Sequence, residues 1–292
     1  MDNYNPEIEK KIKNLRWWNI GACLFHGIQT GIAFYLVMSD STFSSFTPPL
    51  LTSFAIWNKT TGPSSAVQIR THIPFAYVTC LVPLMSAIAH GLICSFGWDG
   101  YELNVRRLQN PWRWIEYAFS SSLMIVLVAI LFAIYDISLL ITLFAINFTV
   151  MYTGRAMDRA NEGRLMSKEG SVDWEPFIAG SFLAVIEWIV IYMTLSQFDF
   201  SNAPLYIVPL LFTYFCLFCS FAIVDWWLYL PPGWQWFWEK KETEVEKGNT
   251  KQIRLEGIER MLRAEKGFMI LSLCAKSLLL WLIFFGTRQP HE

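Results

Sequence analysis

Seven stretches of about 20 mostly apolar residues dominate this chain. They run approximately over 15–38, 73–97, 111–134, 137–156, 176–197, 203–230 and 264–287 of the 292 residues. Crossing a bilayer's hydrocarbon core takes about 20 residues of α-helix. Backbone polar groups in lipid must be paired within the segment, so helices are the way such stretches cross. Only 16% of the residues are charged, against roughly 25% in an ordinary soluble domain. Much of the surface therefore faces lipid. The reading is an all-α membrane protein of seven transmembrane helices, forming one domain over residues 1–292. The first stretch, Leu15 to Met38, is longer than a signal-peptide core and reads as an anchor that stays. The third and fourth stretches nearly merge. Asp136 in AIYDIS is the break, and it can cap the helix that follows. Pro74 and Pro83 fall in the second stretch and Pro204 and Pro209 in the sixth, where buried neighbours can compensate.

The loops give orientation. With the N-terminus in the cytoplasm, 19 of the 23 Lys and Arg residues lie inside. They include Lys10 to Arg16, Arg106, Arg107, Arg155, Arg159, Arg164, Lys168 and the run from Lys240 to Lys266. Lys59, Arg70 and Arg288 lie outside, and Lys276 is within the membrane. Such a bias sets the N-terminus in the cytoplasm and the C-terminus outside, in a multi-pass cell-membrane protein. Net charge is −1, which gives no global field to attract nucleic acid. Tryptophans cluster near the inner helix ends, and WQWFWEKK after Pro231-Pro232 reads as a membrane-surface segment within the inner loop 231–263. Residues 253–266 have apolar spacing that can extend the seventh helix inward. The outer loop 39–72 holds two β-prone runs, LLTSFAIW and AVQIRTHI, predicting a small hairpin with its turn near Lys59–Ser65. Asn58-Lys59-Thr60 in that loop is a glycosylation sequon. All six cysteines sit in apolar runs, where the CxxC of Cys216 and Cys219 reads as small packing residues.

An ionisable side chain at mid-bilayer is costly and marks function or a buried pair. Lys276, in FMILSLCAKSLLLWLIFF, cannot easily reach water. One reading is a Lys–Glu pair that only holds helices together. The other uses desolvation, which disfavours the ammonium and frees the lone pair to attack an aldehyde. A protonated Schiff base then needs an anion, and Glu116 stands at a matching depth because helix side chains lean toward the N-terminus. Glu116 could instead pair with Arg113, three residues earlier. His26 and His90 lie inside the first two helices. Ser86 precedes His90 by one turn, as Ser272 precedes Lys276, and together they suggest a buried polar cluster. A zinc site on the two histidines is a further reading, although neither helix carries an HxxxH or HxxE pair. Glu187 faces the interior or a partner, and Asp225, near the inner helix end, could reach water.

At RWIEYAFSSSLMIVLVA (113–129) and LSLCAKSLLLWLIFFGT (271–287) the chain resembles the heliorhodopsins, as it does at LFHGIQ, SAIAH and LFAINF. The resemblance spans all seven helices, and the family shares the inverted, N-inside orientation. It implies all-trans retinal joined to Lys276 as a protonated Schiff base with Glu116 as counterion. It implies a polar network of His26, His90, Ser86 and Ser272, with Arg113 and Asn147, and a chromophore pocket of Trp188, Phe218, Tyr117 and Ser120. Homodimers, slow photocycles and light sensing rather than pumping also follow from the resemblance. The long basic loop between the sixth and seventh helices could pass the change to an unidentified cytoplasmic partner. Two departures stand out: Glu187-Trp188 replaces a Pro-Trp, and Asp225 replaces a Gln. Extra buried acids could relay protons, so a light-gated passive proton channel is the alternative, and an intramembrane zinc hydrolase a third.

Overall fold

A computed structural model of the protein describes residues 5–162, 171–196, 207–230 and 250–287. Pro204, Arg164, Lys168, WQWFWEKK, Lys240, Lys241, Lys247, Arg288 and most of the loop 231–263 lie outside the described residues. Seven helices are long and apolar enough to cross a membrane. They are α1 (Pro6–Ser39), α3 (Phe75–Cys94), α5 (Pro111–Leu131), α6 (Ile137–Ala160), α7 (Glu175–Leu195), α8 (Ile207–Tyr229) and α9 (Thr250–Thr287). Two short helices, α2 (Ser41–Ser44) and α4 (Trp98–Arg106), and a hairpin of β1 (Pro49–Asn58) and β2 (Gly62–His72) complete the described elements.

Local chemistry sets the ends. Asn5 accepts hydrogen bonds from Glu7 N and Ile8 N, and Pro6 supplies the first helical position of α1. Pro111 does the same for α5, where the Asn110 side chain accepts from Arg113 N. The first and last helices are longer than their apolar cores. At 1.5 Å per residue α9, with 38 residues, reaches about 57 Å, against roughly 30 Å of hydrocarbon. The helical extension predicted from residues 253–266 is present. The extension of α1 back to Pro6 is not visible in hydropathy, because its residues are mostly charged. Its buried residues nevertheless keep helical spacing: Ile8, Ile12, Leu15, Asn19, Ala22, His26, Thr30, Ala33 and Val37. Ile8, Ile12 and Leu15 pack with Trp98, Tyr101 and Val105 of α4 and Ile258, Met261 and Leu262 of α9, forming a second core at the N-terminal ends of α1 and α9. The short α4 escapes sequence reading because nine mixed residues carry too little period.

The most buried span is α5. Around it α1 packs on α3 and α9, α6 on α5 and α7, and α8 on α9, with little direct packing between α7 and α8. Gly154 of α6 permits one close approach: a Cβ there would collide with the Trp114 ring.

The hairpin pairs Pro49 with His72 through to Asn58 with Gly62, with a bulge at Leu50/Leu51. The turn is residues 59–61, closed by Gly62 at φ +80°, so it closes earlier than the predicted limit at Ser65. Asp136 ties the hairpin to the helices. Its Oδ1 accepts from Ser138 N and Leu139 N, capping α6, and its Oδ2 accepts from Ser53 N (3.0 Å) and Ser53 Oγ (2.8 Å). Leu51 N donates to Tyr135 O at 2.8 Å beside it. The Ser53 hydroxyl, chiefly, and then the backbone donors lower the Asp136 pKa from its ordinary 3.8. The clasp is therefore intact at neutral pH and is lost as pH falls through that lowered value. Asp136→Ala is expected to cost about 1 kcal/mol, as losing an N-cap does, and to free the Leu51 and Ser53 amides to hydrogen exchange. Unchanged protection at both would show that the hairpin is held elsewhere.

Candidate functional site

Three helices converge on one amine. Lys276 of α9 is 2% exposed. Its Nζ donates to Glu116 Oε1 of α5 at 2.5 Å and to Ser86 Oγ of α3 at 2.6 Å. Ser86 Oγ in turn donates to Glu116 Oε1 at 2.7 Å, which closes a triangle. The Tyr117 ring lies 5.1 Å from Nζ, and its hydroxyl donates to Phe268 O. Lysine and glutamate cancel in charge, which is the condition for keeping either ionised away from water.

Beside the triangle, the rings of His26 and His90 stack 6.1 Å apart and nearly parallel. His90 Nδ1 lies 2.8 Å from Asn19 Oδ1, while Asn19 Nδ2 donates to Leu15 O. With the Asn19 amide so engaged, Oδ1 is an acceptor, so a neutral His90 carries its proton on Nδ1 and its lone pair on Nε2. His26 is fully buried and neither ring nitrogen has a hydrogen-bond partner among the described residues. Among the described residues no three His, Cys, Asp or Glu side chains are grouped to hold a metal ion. Ser272 is buried one turn before Lys276.

The alternative pairing of Glu116 with Arg113 is not what forms. Arg113 does not reach Glu116 but turns away to Glu265 and Asp158, with Asp158 Oδ2 at 3.5 Å. Its guanidinium lies 4.7 Å from the Trp114 ring centre and 4.0 Å from that of Phe268. Both acids are otherwise well supplied. Asp158 accepts from Trp114 Nε1 (2.7 Å), Asn110 N (3.1 Å) and the Tyr229 hydroxyl (2.8 Å). Glu265 accepts from Asn110 Nδ2 (2.6 Å) and the Tyr101 hydroxyl (3.1 Å). This second polar centre, nearer the N-terminal ends of α5 and α9 than the first, escaped the sequence reading. Asp158 in RAMDRAN and Glu265 in RMLRAEK look like solvated charges at helix ends, and only the tertiary fold buries them.

A third group lies on the other side of α5. Asn147 of α6 donates to Glu187 Oε2 of α7 at 2.9 Å and accepts from Ser121 Oγ at 2.6 Å. Glu187 Oε1 is buried without a hydrogen-bond partner among the described residues. Asp225 is 4% exposed, so its predicted access to water is not seen; α8 turns it into the bundle. Glu187 and Asp225, with Asn147, Trp188, Phe218 and Tyr117, line a cavity of about 830 Å³ that lies between α7 and α8. Trp188 and Phe218 meet edge to face at 5.7 Å. Ser120 is buried on α5 but is not part of this wall. Nor is Lys276; the Tyr117 ring, which borders the cavity, connects the two. An apolar, aromatic cavity of this size with a few polar groups suits a small hydrophobic ligand. A long polyene with a reactive end fits the arrangement: aromatic walls for its body and a desolvated amine beside Tyr117 for its end.

A family model described as Heliorhodopsin matches residues 15–240 of the chain. No curated protein matches it. The matched segment covers Glu116, Ser86 and both histidines and stops before Lys276, so the lysine rests on its own geometry.

Proposed function

We propose that this chain, which belongs to the heliorhodopsin family, is a light sensor that holds all-trans retinal on Lys276 as a protonated Schiff base. The family supports retinal binding in general. The observation that carries the finer reading is the buried triangle of Lys276, Glu116 and Ser86. When bound, retinal supplies visible absorption and a light-driven change of shape. The chain's own residues do the rest. Glu116 provides the anion that keeps the nitrogen cationic, and Ser86 fixes that carboxylate. His90 Nε2 offers a neutral acceptor for a proton displaced from the pair. Trp188, Phe218 and Tyr117 confine the body of the ligand.

The orientation, with the N-terminus inside, rests on the distribution of basic residues. The output then lies on the inner extension of the lysine-bearing helix. There Glu259 of α9 pairs with Lys11 of α1, and nearby Arg106 of α4 ties α1 to α4 by holding Glu9 at 2.7 Å, with Glu102 of its own helix at 2.5 Å. A rigid α9 moves the Glu259–Lys11 pair when its Lys276 end moves, which offers a cytoplasmic partner a changed surface. A homodimer in the cell membrane belongs to the same reading.

Glu187 favours one second reading. It is a buried acid with an unpaired oxygen in the wall of the same cavity as Asp225, and light-gated passive proton flow would use both. The deciding experiment supplies all-trans retinal to expressed protein and records absorption and membrane current under illumination. A visible band without photocurrent at any voltage or pH gradient supports the sensor. A photocurrent lost in Glu187→Gln supports conduction, and absence of any band removes both.

A further inference from the structure

We propose that Asn58 is an acceptor site for an N-linked glycan on the outer face of the molecule. The chain contains two Asn-X-Thr sequences, Asn58-Lys59-Thr60 and Asn147-Phe148-Thr149, and the structure separates them. Asn147 is buried in the membrane-spanning α6 and spends its amide on Glu187, so no enzyme reaches it in the folded chain. Asn58 is exposed, as are Lys59, Thr60 and Thr61. It ends β1 at the tip of the hairpin, five residues beyond the Ser53 clasp, which at about 3.4 Å per residue is roughly 17 Å away.

The tip also has an ordered acceptor geometry. Asn58 Oδ1 accepts from Thr60 N at 2.8 Å and from Thr61 N at 3.4 Å. This Asx turn brings the asparagine amide and the Thr60 residue to the same side of a tight loop. Asn58 Nδ2 and the Thr60 hydroxyl have no partner among the described residues. Oxygen-side donors polarise the amide while leaving its nitrogen free to react. The co-reactant is a lipid-linked oligosaccharyl diphosphate. The Asn58 nitrogen attacks the anomeric carbon, a C–N bond forms, the C–O bond to the diphosphate breaks, the lipid diphosphate leaves and the amide gives up one proton. No oxidant or reductant is needed.

The proposal rests on the N-inside orientation, and the test separates the two. The full chain is expressed in a eukaryotic cell, and its gel mobility is compared before and after peptide N-glycosidase. Wild type is expected to lose one glycan's worth of mass. Asn58→Gln and Thr60→Ala are expected to show no shift, and Thr60→Ser to keep it. Thr60→Ala retains the Asx turn, so its result does not depend on the turn surviving. In parallel, Lys59→Cys is labelled on intact cells with a membrane-impermeant thiol reagent. No shift with labelling from outside overturns the glycan alone. No shift with labelling only after permeabilisation overturns the glycan and the orientation together. A shift that survives Thr60→Ala also overturns the site.

Discussion

Lys276→Ala protein supplied with all-trans retinal is expected to show no visible band, against a strong one for wild type. The side chain provides the amine within the buried triangle, and among the described residues the other lysines stand in the N-terminal parts of α1 and α9 or at the hairpin turn. The alanine also strands Glu116, whose partners are then reduced to Ser86. Removing one member of a buried pair costs about 3–5 kcal/mol, enough to threaten folding. Lys276→Arg guards against that ambiguity, because its guanidinium keeps a cation beside Glu116 yet cannot condense with an aldehyde. It is expected to be folded, by an unchanged thermal midpoint, and colourless. Colour retained in either variant would place the linkage at another amine and remove the central element of the proposed function.

Much of this arrangement was legible before any fold was known. Apolar length gave the seven spans, and Asp136 gave the break between the third and fourth, because one acid among apolar residues has few places to sit. Lys276 was legible for the same reason: a charge in the middle of a lipid-length run has no local partner and must be answered by another helix. Matching depths from the inner side pointed to Glu116, and the structure brings the two together. The alternative of an Arg113–Glu116 pair fails because i,i+3 spacing is a local rule, whereas Glu265 and Asp158 come from two other helices and offer Arg113 two carboxylates. Those two acids were hidden by their setting, since charges near helix ends are ordinarily solvated. The core shared by α1, α4 and α9 was hidden too, since its residues are set among charges and leave no long apolar run. Asp225 was misjudged because nearness to a helix end does not say which way a side chain faces.

Glu116→Gln is expected to shift the visible band to longer wavelength in acid and to bleach it at a pH well below that of wild type. Glutamine keeps the size of the side chain and its acceptor oxygen for Ser86 but removes the negative charge. The nitrogen cation then loses its paired anion, and the neutral form gains relative stability. If stranding the cation costs the roughly 3–5 kcal/mol of removing one partner from a buried ion pair, then at about 1.36 kcal/mol per unit the bleaching midpoint falls by about two to four pH units. Other carboxylates cannot readily take over. Glu265 and Asp158 are engaged by Arg113 and by five further donors from Tyr101, Asn110, Trp114 and Tyr229. Glu187 is committed to Asn147 on the far side of α5. Glu265→Gln is accordingly expected to leave the midpoint within a fraction of a unit of wild type. An unchanged maximum and midpoint in Glu116→Gln, or a larger fall in Glu265→Gln, would transfer the counterion from the triangle to the inner carboxylates. The proton set free by light would then have to be traced from that second centre rather than from His90.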